Sequence, residues 1–150
     1  MGSRGEGWVI GQFVIGAAIF AATFFTHIEL PFIVRLLGIV LLLIGALIAG
    51  LGVLRLGSNL SPFPKPKSDG HALVTTGIYS FVRHPIYSGI AFAALGWSVW
   101  WASLLGIVLA LVLFVWFDLK SRREETWLVE KYPDYAAYQT RVKKLIPFIY

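Results

Sequence analysis

Hydrophobic residues fill three stretches that carry no Asp, Glu, Lys or Arg: Val9 to His27, Leu36 to Leu54, and His84 to Phe117. A helix needs about 20 apolar residues to cross a hydrocarbon core of roughly 30 Å. The first two stretches therefore predict one span each. The third is too long for one span and just long enough for two short ones. Trp97, Trp100, Trp101, Ala102 and Ser103 lie near its middle. Trp favours the headgroup interface, and Ser suits a helix N-cap, so a tight helical hairpin is expected there. Its first arm, Pro85 to Trp100, would be about 24 Å long, short enough that a re-entrant hairpin or a thinned bilayer stays open. The pattern predicts spans at about 8–28, 33–55, 84–100 and 103–120, a loop at 56–83 and a tail at 121–150.

Small residues recur along the spans. Gly38, Gly45 and Gly52 are seven apart, and Gly89 and Ala93 are four apart. Such positions let helix backbones approach closely. Packing within one small bundle is preferred over dimerisation. In the loop, Ser61-Pro62-Phe63-Pro64-Lys65-Pro66-Lys67 reads as a stiff, extended connector. After Phe117 the chain turns polar but keeps a helical pattern until Pro133, which ends it. Tyr135, Tyr138, Val142 and Leu145 then recur at the spacing of one helix face. Arg141, Lys143 and Lys144 fall opposite, as expected of a basic amphipathic helix on a lipid surface.

Composition agrees. The chain is 57% hydrophobic and only 14% charged, with mean hydropathy +0.74. Soluble domains carry about 25% charged residues. One all-α domain, a polytopic membrane helix bundle of about four spans, accounts for all 150 residues. The net charge is +5, but no nucleic-acid module is visible. Of the thirteen basic residues, twelve fall in the N-terminus, loop and tail; Arg35 alone lies at the other end. The positive-inside rule then places both termini in the cytoplasm, with the inner membrane of a bacterium or archaeon as the expected location. The absence of cysteine excludes disulfides and thiolate chemistry. No histidine spacing fits a metal site. No charge lies at depth, which argues against ion-coupled transport.

Polar chemistry collects in two places. Arg83 and His84 precede Pro85, a residue suited to the first position of a helix. A helix N-terminus welcomes an anion, although a basic pair anchoring the span to headgroups explains the same residues. Glu124 and Glu125 are neighbours on a helix and point about 100° apart, so one is expected to face the bundle and the other water. Lys120 and Glu124, four apart, can form a surface pair.

Taken together, the two places carry a resemblance. Leu73-Val74-Thr75-Thr76-Gly77-Ile78-Tyr79, then Arg83-His84-Pro85-Ile86-Tyr87-Ser88-Gly89, then Glu124-Glu125 with Leu128, Tyr135, Tyr138 and Ile146-Pro147, resemble the signature of the isoprenylcysteine carboxyl methyltransferase family. That family belongs to a larger group of membrane methyltransferases that includes phospholipid methyltransferases. The resemblance implies methyl transfer from S-adenosyl-L-methionine to a lipophilic or membrane-associated acceptor, with the C-terminal helices covering the cofactor site. It implies cofactor contacts at His71, Ala72, Leu73, Val74, Tyr79, His84, Pro85, Ile86, Tyr87, Glu124 and Glu125, and catalytic positions at Arg83, Lys120 and Glu124. Two positions depart from the family pattern. Lys120 stands where an Arg contacts substrate, and Pro64 where a Gln helps bind cofactor. A phospholipid or small-molecule (amine or thiol) acceptor, or a non-enzymatic membrane protein keeping a degenerate signature, are the alternatives.

Overall fold

A computed structural model describes residues 5–65 and 72–150. Arg4, Lys67 and His71 lie outside the described residues. Five α-helices follow in order: α1 (Glu6–Ala22), α2 (Phe32–Leu56), α3 (Pro85–Trp100), α4 (Leu104–Lys131) and α5 (Tyr135–Arg141). Among the described residues there is no strand beyond one isolated bridge. The first four helices run alternately away from and back toward one end of the bundle. α2 packs chiefly on α3, and α4 packs on α3 and α1. α2 and α4 are long and apolar enough to cross a membrane; α1 and α3 have 17 and 16 residues. The bundle is apolar outside as well as inside. Phe13, Leu47 and Leu54 are more than 60% exposed, as expected where lipid is the solvent.

The glycine pattern works within the chain. The buried residues of α2 are Gly38, Gly45 and Gly52, and α3 lies directly on them. A Cβ on Gly45 would stand 2.5 Å from Ala93 N and from Gly89 O. Both neighbours are backbone and cannot swing aside, so Gly45→Ala must push the helices apart. Overpacking of this kind costs about 2 kcal/mol. Gly45→Ala is expected to lower the melting temperature in detergent by several degrees. Gly50→Ala, where a Cβ meets nothing within 4 Å, should leave it unchanged or slightly raised.

The hairpin forms where the tryptophans and Ser103 place it. Ala102 adopts φ 51° between α3 and α4. Ser103 caps α4, its hydroxyl accepting from Gly106 N at 3.1 Å. The same hydroxyl donates to Ala22 O at 3.0 Å, tying the hairpin to α1. At this end Arg35 Nε donates to Trp100 O at 2.9 Å.

Two expectations need correction. α1 was expected to reach about residue 28, but it closes at Ala22. Thr23 and Thr26 turn their hydroxyls back onto Phe20 O and Ala22 O, satisfying carbonyls that a longer helix would have used. The tail helix was expected to carry Val142 and Leu145 on one face with Tyr135 and Tyr138, but α5 stops at Arg141. From Val142 the chain is extended and runs beside residues 82–84. Arg83 N donates to Lys143 O at 2.8 Å and His84 N to Lys144 O at 3.0 Å. Leu145 is fully buried there. Lys144, expected at the lipid surface, is buried and ion-paired with Asp118.

Candidate functional site

The end of the bundle holding the start of α3 and the polar part of α4 encloses a cavity of about 320 Å³. Three strips of sequence build its walls. The extended segment at 72–74 forms one side, facing Ser61–Pro64 of the proline-rich connector. The start of α3 supplies His84, Ile86 and Tyr87. The polar extension of α4 supplies Lys120, Glu124 and Leu128. Pro85, first residue of α3, sends the chain inward right after Arg83-His84, so a motif adjacent in sequence becomes the floor of the site.

Aromatic rings order this floor. His84 stacks on Tyr87 with centroids 5.5 Å apart, and Tyr87 stacks on Phe117 at 4.9 Å. The Tyr87 hydroxyl donates to Glu124 Oε2 at 2.7 Å. Lys120 Nζ lies 4.7 Å from the centre of the Tyr87 ring, a cation–π distance. Tyr79 and Tyr138 enclose the outer part of the cavity, Tyr138 OH donating to Tyr79 O. Burial pushes the Tyr138 phenol up to about 12 and raises Tyr79, with the charge of Glu124 adding to the latter. These hydroxyls therefore remain neutral donors.

The two glutamates do not divide between bundle and water. His84 stands between them. Its Nε2 is 3.0 Å from Glu125 Oε1, and its Nδ1 is 3.9 Å from Glu124 Oε2. Arg83 Nε donates to Glu125 Oε1 at 2.8 Å, and the rest of its guanidinium reaches Gln139 O and Val142 O. Gln139 Nε2 adds a hydrogen bond to Glu125 Oε2 at 3.0 Å. Burial alone would raise Glu125. The hydrogen bonds and charges of His84 and Arg83 overcome it and hold the carboxyl at about 2. Glu124 behaves oppositely. Its burial outweighs the His84 charge, the Tyr87 hydrogen bond and the Lys120 charge, so the carboxyl stays above its usual range. Its side chain keeps 23% exposure and lines the cavity. A carboxylate in this state gains from a cation placed beside it.

The cavity wall therefore includes Ala72, Leu73, Val74, Tyr79, Arg83, His84, Ile86, Tyr87, Lys120 and Glu124. Pro85 is buried beneath it, where a Cβ on Gly52 would approach its ring. Glu125 stands behind the wall, holding Arg83 and His84. Lys120 is not paired at the surface. It is 1% exposed, and its ammonium donates to Gln12 Oε1 at 2.6 Å and Pro62 O at 3.1 Å. Sequence reasoning missed Gln12. It is the one polar side chain of α1 beyond Glu6 in the first turn, and the pairing of α1 with α4 brings it here. Pro64 does border the cavity, but a proline side chain offers no hydrogen bond.

A second cavity of about 700 Å³ opens between α1, α3 and α4. Its lining is apolar except for Gln12 and the Trp97 indole; Phe20, Trp97 and Leu113 are typical. It shares Gln12 and Ile90 with the first cavity, so the chamber that holds the ionisable groups and the apolar groove adjoin along the seam of these two residues.

Known proteins resemble this chain in sequence and in fold. The chain is similar to protein-S-isoprenylcysteine O-methyltransferase of Rattus norvegicus, 31% identical over 75% of this chain and 40% of the relative. The Saccharomyces cerevisiae protein of that name is 34% identical over 75% of this chain and 48% of the relative. An Oryza sativa subsp. indica protein named "Probable protein-S-isoprenylcysteine O-methyltransferase" is 31% identical over 85% of this chain and 69% of its own length. The solved structure of the eukaryotic intramembrane Ras methyltransferase ICMT superposes with TM-score 0.74 and 27% identity, over 93% of this chain and 53% of that one. The chain thus spans about half or less of the animal and yeast proteins it matches. The family model described as phospholipid methyltransferase matches residues 33–135, from the start of α2 through the polar end of α4 to the first residue of α5. With that match across most of its length, the chain belongs to the phospholipid methyltransferase family.

Proposed function

We propose that this chain is a membrane methyltransferase that uses S-adenosyl-L-methionine and takes a lipophilic acceptor from the bilayer. The adjacency at Gln12 and Ile90 of the cavity that holds Glu124, Lys120 and His84 to the apolar groove carries this reading. A donor site and an acceptor site must meet for a group to pass between them. A cavity of about 320 Å³ falls within the range of small-molecule sites. Glu124 would face the cofactor's cationic part, with the aromatic faces of Tyr79 and Tyr87 beside it. Ala72–Val74 would lie along its adenosine part. When bound, the cofactor supplies a methyl group already activated by its sulfonium. The protein needs no nucleophile of its own, and its work is positioning and exclusion of water. The prenylated acceptors named for the relatives fit the groove, as does any amphiphile with a long hydrocarbon tail. The site end of the bundle, which carries Arg55, Arg83, Lys131 and Lys143, faces the cytoplasm in this reading, with both termini on that side.

The test is calorimetric binding of S-adenosylmethionine and S-adenosylhomocysteine in detergent. A transfer screen with labelled cofactor against lipid extract, prenylcysteine analogues and hydrophobic thiols should accompany it. Micromolar binding with transfer to at least one lipophilic acceptor is expected; no binding of either nucleoside would sink the reading. The pH dependence has a definite sign. Glu124 must be ionised to hold a cation, and its carboxyl sits above the usual value of 4.5. Affinity for S-adenosylmethionine should therefore fall as pH is lowered into the range where this raised carboxyl becomes protonated, with proton release on binding at the acid end. His84, Lys120 and Glu125 surround the same point, so the slope is assigned by its absence in Glu124→Gln.

A further inference from the structure

Gln12 lines both cavities, and it lies on a helix that precedes the residues matched by the family model. Its carboxamide is oriented by chemistry. An ammonium only donates, so Lys120 Nζ at 2.6 Å fixes Oε1 as the side facing α4. The NH₂ group must then point the other way. No partner for Gln12 Nε2 exists among the described residues, and the side chain is half-buried on the wall of both cavities. Lys120 itself is 1% exposed and already donates to Gln12 and Pro62. Its charge reaches the seam chiefly by polarising the carboxamide it holds.

We propose that Gln12 is a specificity-determining residue for the acceptor. Its N–H group, aimed by Lys120, binds an oxygen of the acceptor's head group at the seam while the hydrocarbon tail lies in the apolar groove. The nearby cation favours an anionic oxygen over a neutral one. Lys120 is then a positioning residue that acts through Gln12. This assignment rests on the proposed function, since it presumes that the acceptor enters by the groove.

Palmitate and methyl palmitate serve as probes. They share a tail and differ in head-group charge. Each is titrated calorimetrically into detergent-solubilised protein saturated with S-adenosylhomocysteine, at pH 8. The wild type should prefer palmitate by about tenfold or more. Gln12→Glu replaces the donor by an acceptor and a negative charge, and should remove the preference. Gln12→Met, which keeps the volume without the amide, should reduce it and serves if the charged variant does not fold. Because Gln12 also lines the first cavity, each variant is compared with S-adenosylhomocysteine saturating, so that a change in its affinity does not enter the palmitate-to-ester ratio. Equal binding of the two probes by wild type, or an undiminished preference in both variants, overturns the assignment. If wild type binds S-adenosylhomocysteine but not palmitate, the assignment fails and the methyltransferase reading stands. If it does not bind S-adenosylhomocysteine, the methyltransferase reading fails first and the assignment falls with it.

Discussion

Glu124→Gln is expected to weaken S-adenosylmethionine binding by about 100-fold while leaving the empty protein as stable as wild type or more so. The first half follows from charge. Glu124 is the carboxylate on the cavity wall, and a hydrogen bond or close pairing between charged groups contributes about 1.5–3 kcal/mol. Glutamine keeps the shape, and its carbonyl can still accept from Tyr87 OH. The loss is therefore confined to the interaction with a cation. The second half follows from the direction of the pKa shift. A carboxyl raised above its usual range by burial belongs to a folded state that favours the protonated form. Its ionised form costs stability at neutral pH, and that cost falls as pH is lowered. A neutral isostere removes it. Affinity lost and melting temperature held is thus the expected pair, read by calorimetry and by thermal unfolding in the same detergent. A variant that loses both would show Glu124 to be a structural residue, and one that loses neither would remove it from the site.

That opposition between stability and binding is what the sequence alone could only half disclose. The hairpin was legible because interface tryptophans and a capping serine announce it locally, and Ser103 does cap α4. The glycines of α2 were legible because their seven-residue spacing survives any tertiary arrangement. The cavity wall was legible through a resemblance, since Leu73, His84, Tyr87 and Glu124 lie in contiguous motifs. Three features were not. Gln12 carries no motif, and its value arises only from the pairing of α1 with α4. Glu125 was expected either inside or outside by the 100° rule, yet the rule describes Cβ directions and not the reach of Arg83 and His84, which come from another element to meet it. The tail was read as a longer helix because Val142 and Leu145 continue the helical spacing. The unpaired backbone of residues 82–84 offered hydrogen bonds that an extended chain could take and a helix could not.

Glu125→Ala should destabilise the protein by about 3 kcal/mol, because it strands the Arg83 guanidinium and also removes the acceptor of His84, Gln139 and Tyr135. Glu125 Oε1 receives both Arg83 Nε and His84 Nε2, and the Arg83 and Glu125 side chains are only 10% and 12% exposed. Breaking a buried pair by removing one partner leaves an uncompensated charge and costs about 3–5 kcal/mol. The melting temperature in detergent should fall by roughly 10 °C. The sign with pH supports the same view. Glu125 is held at about 2 against a usual 4.5, so its contribution is complete above the ordinary carboxylate range and is lost as pH falls toward 2. The stability difference between wild type and Glu125→Ala should accordingly shrink as pH falls below about 4. Replacing both partners separates pairing from mere packing. In Arg83→Met with Glu125→Met the stranded charge is gone, and replacing a buried ion pair by apolar groups of similar volume is often neutral. The double variant should therefore recover the part of the stability that the stranded guanidinium costs, while His84 and Gln139 stay without their acceptor. Its cofactor affinity should still suffer, since His84 loses the carboxylate that holds its ring against Tyr87 on the cavity floor. Because Arg83 itself lines the cavity, binding lost in Glu125→Ala but kept in Arg83→Met would place Glu125 as the residue that positions His84. Recovery of stability and binding together in the double variant would reduce it to an anchor for the tail.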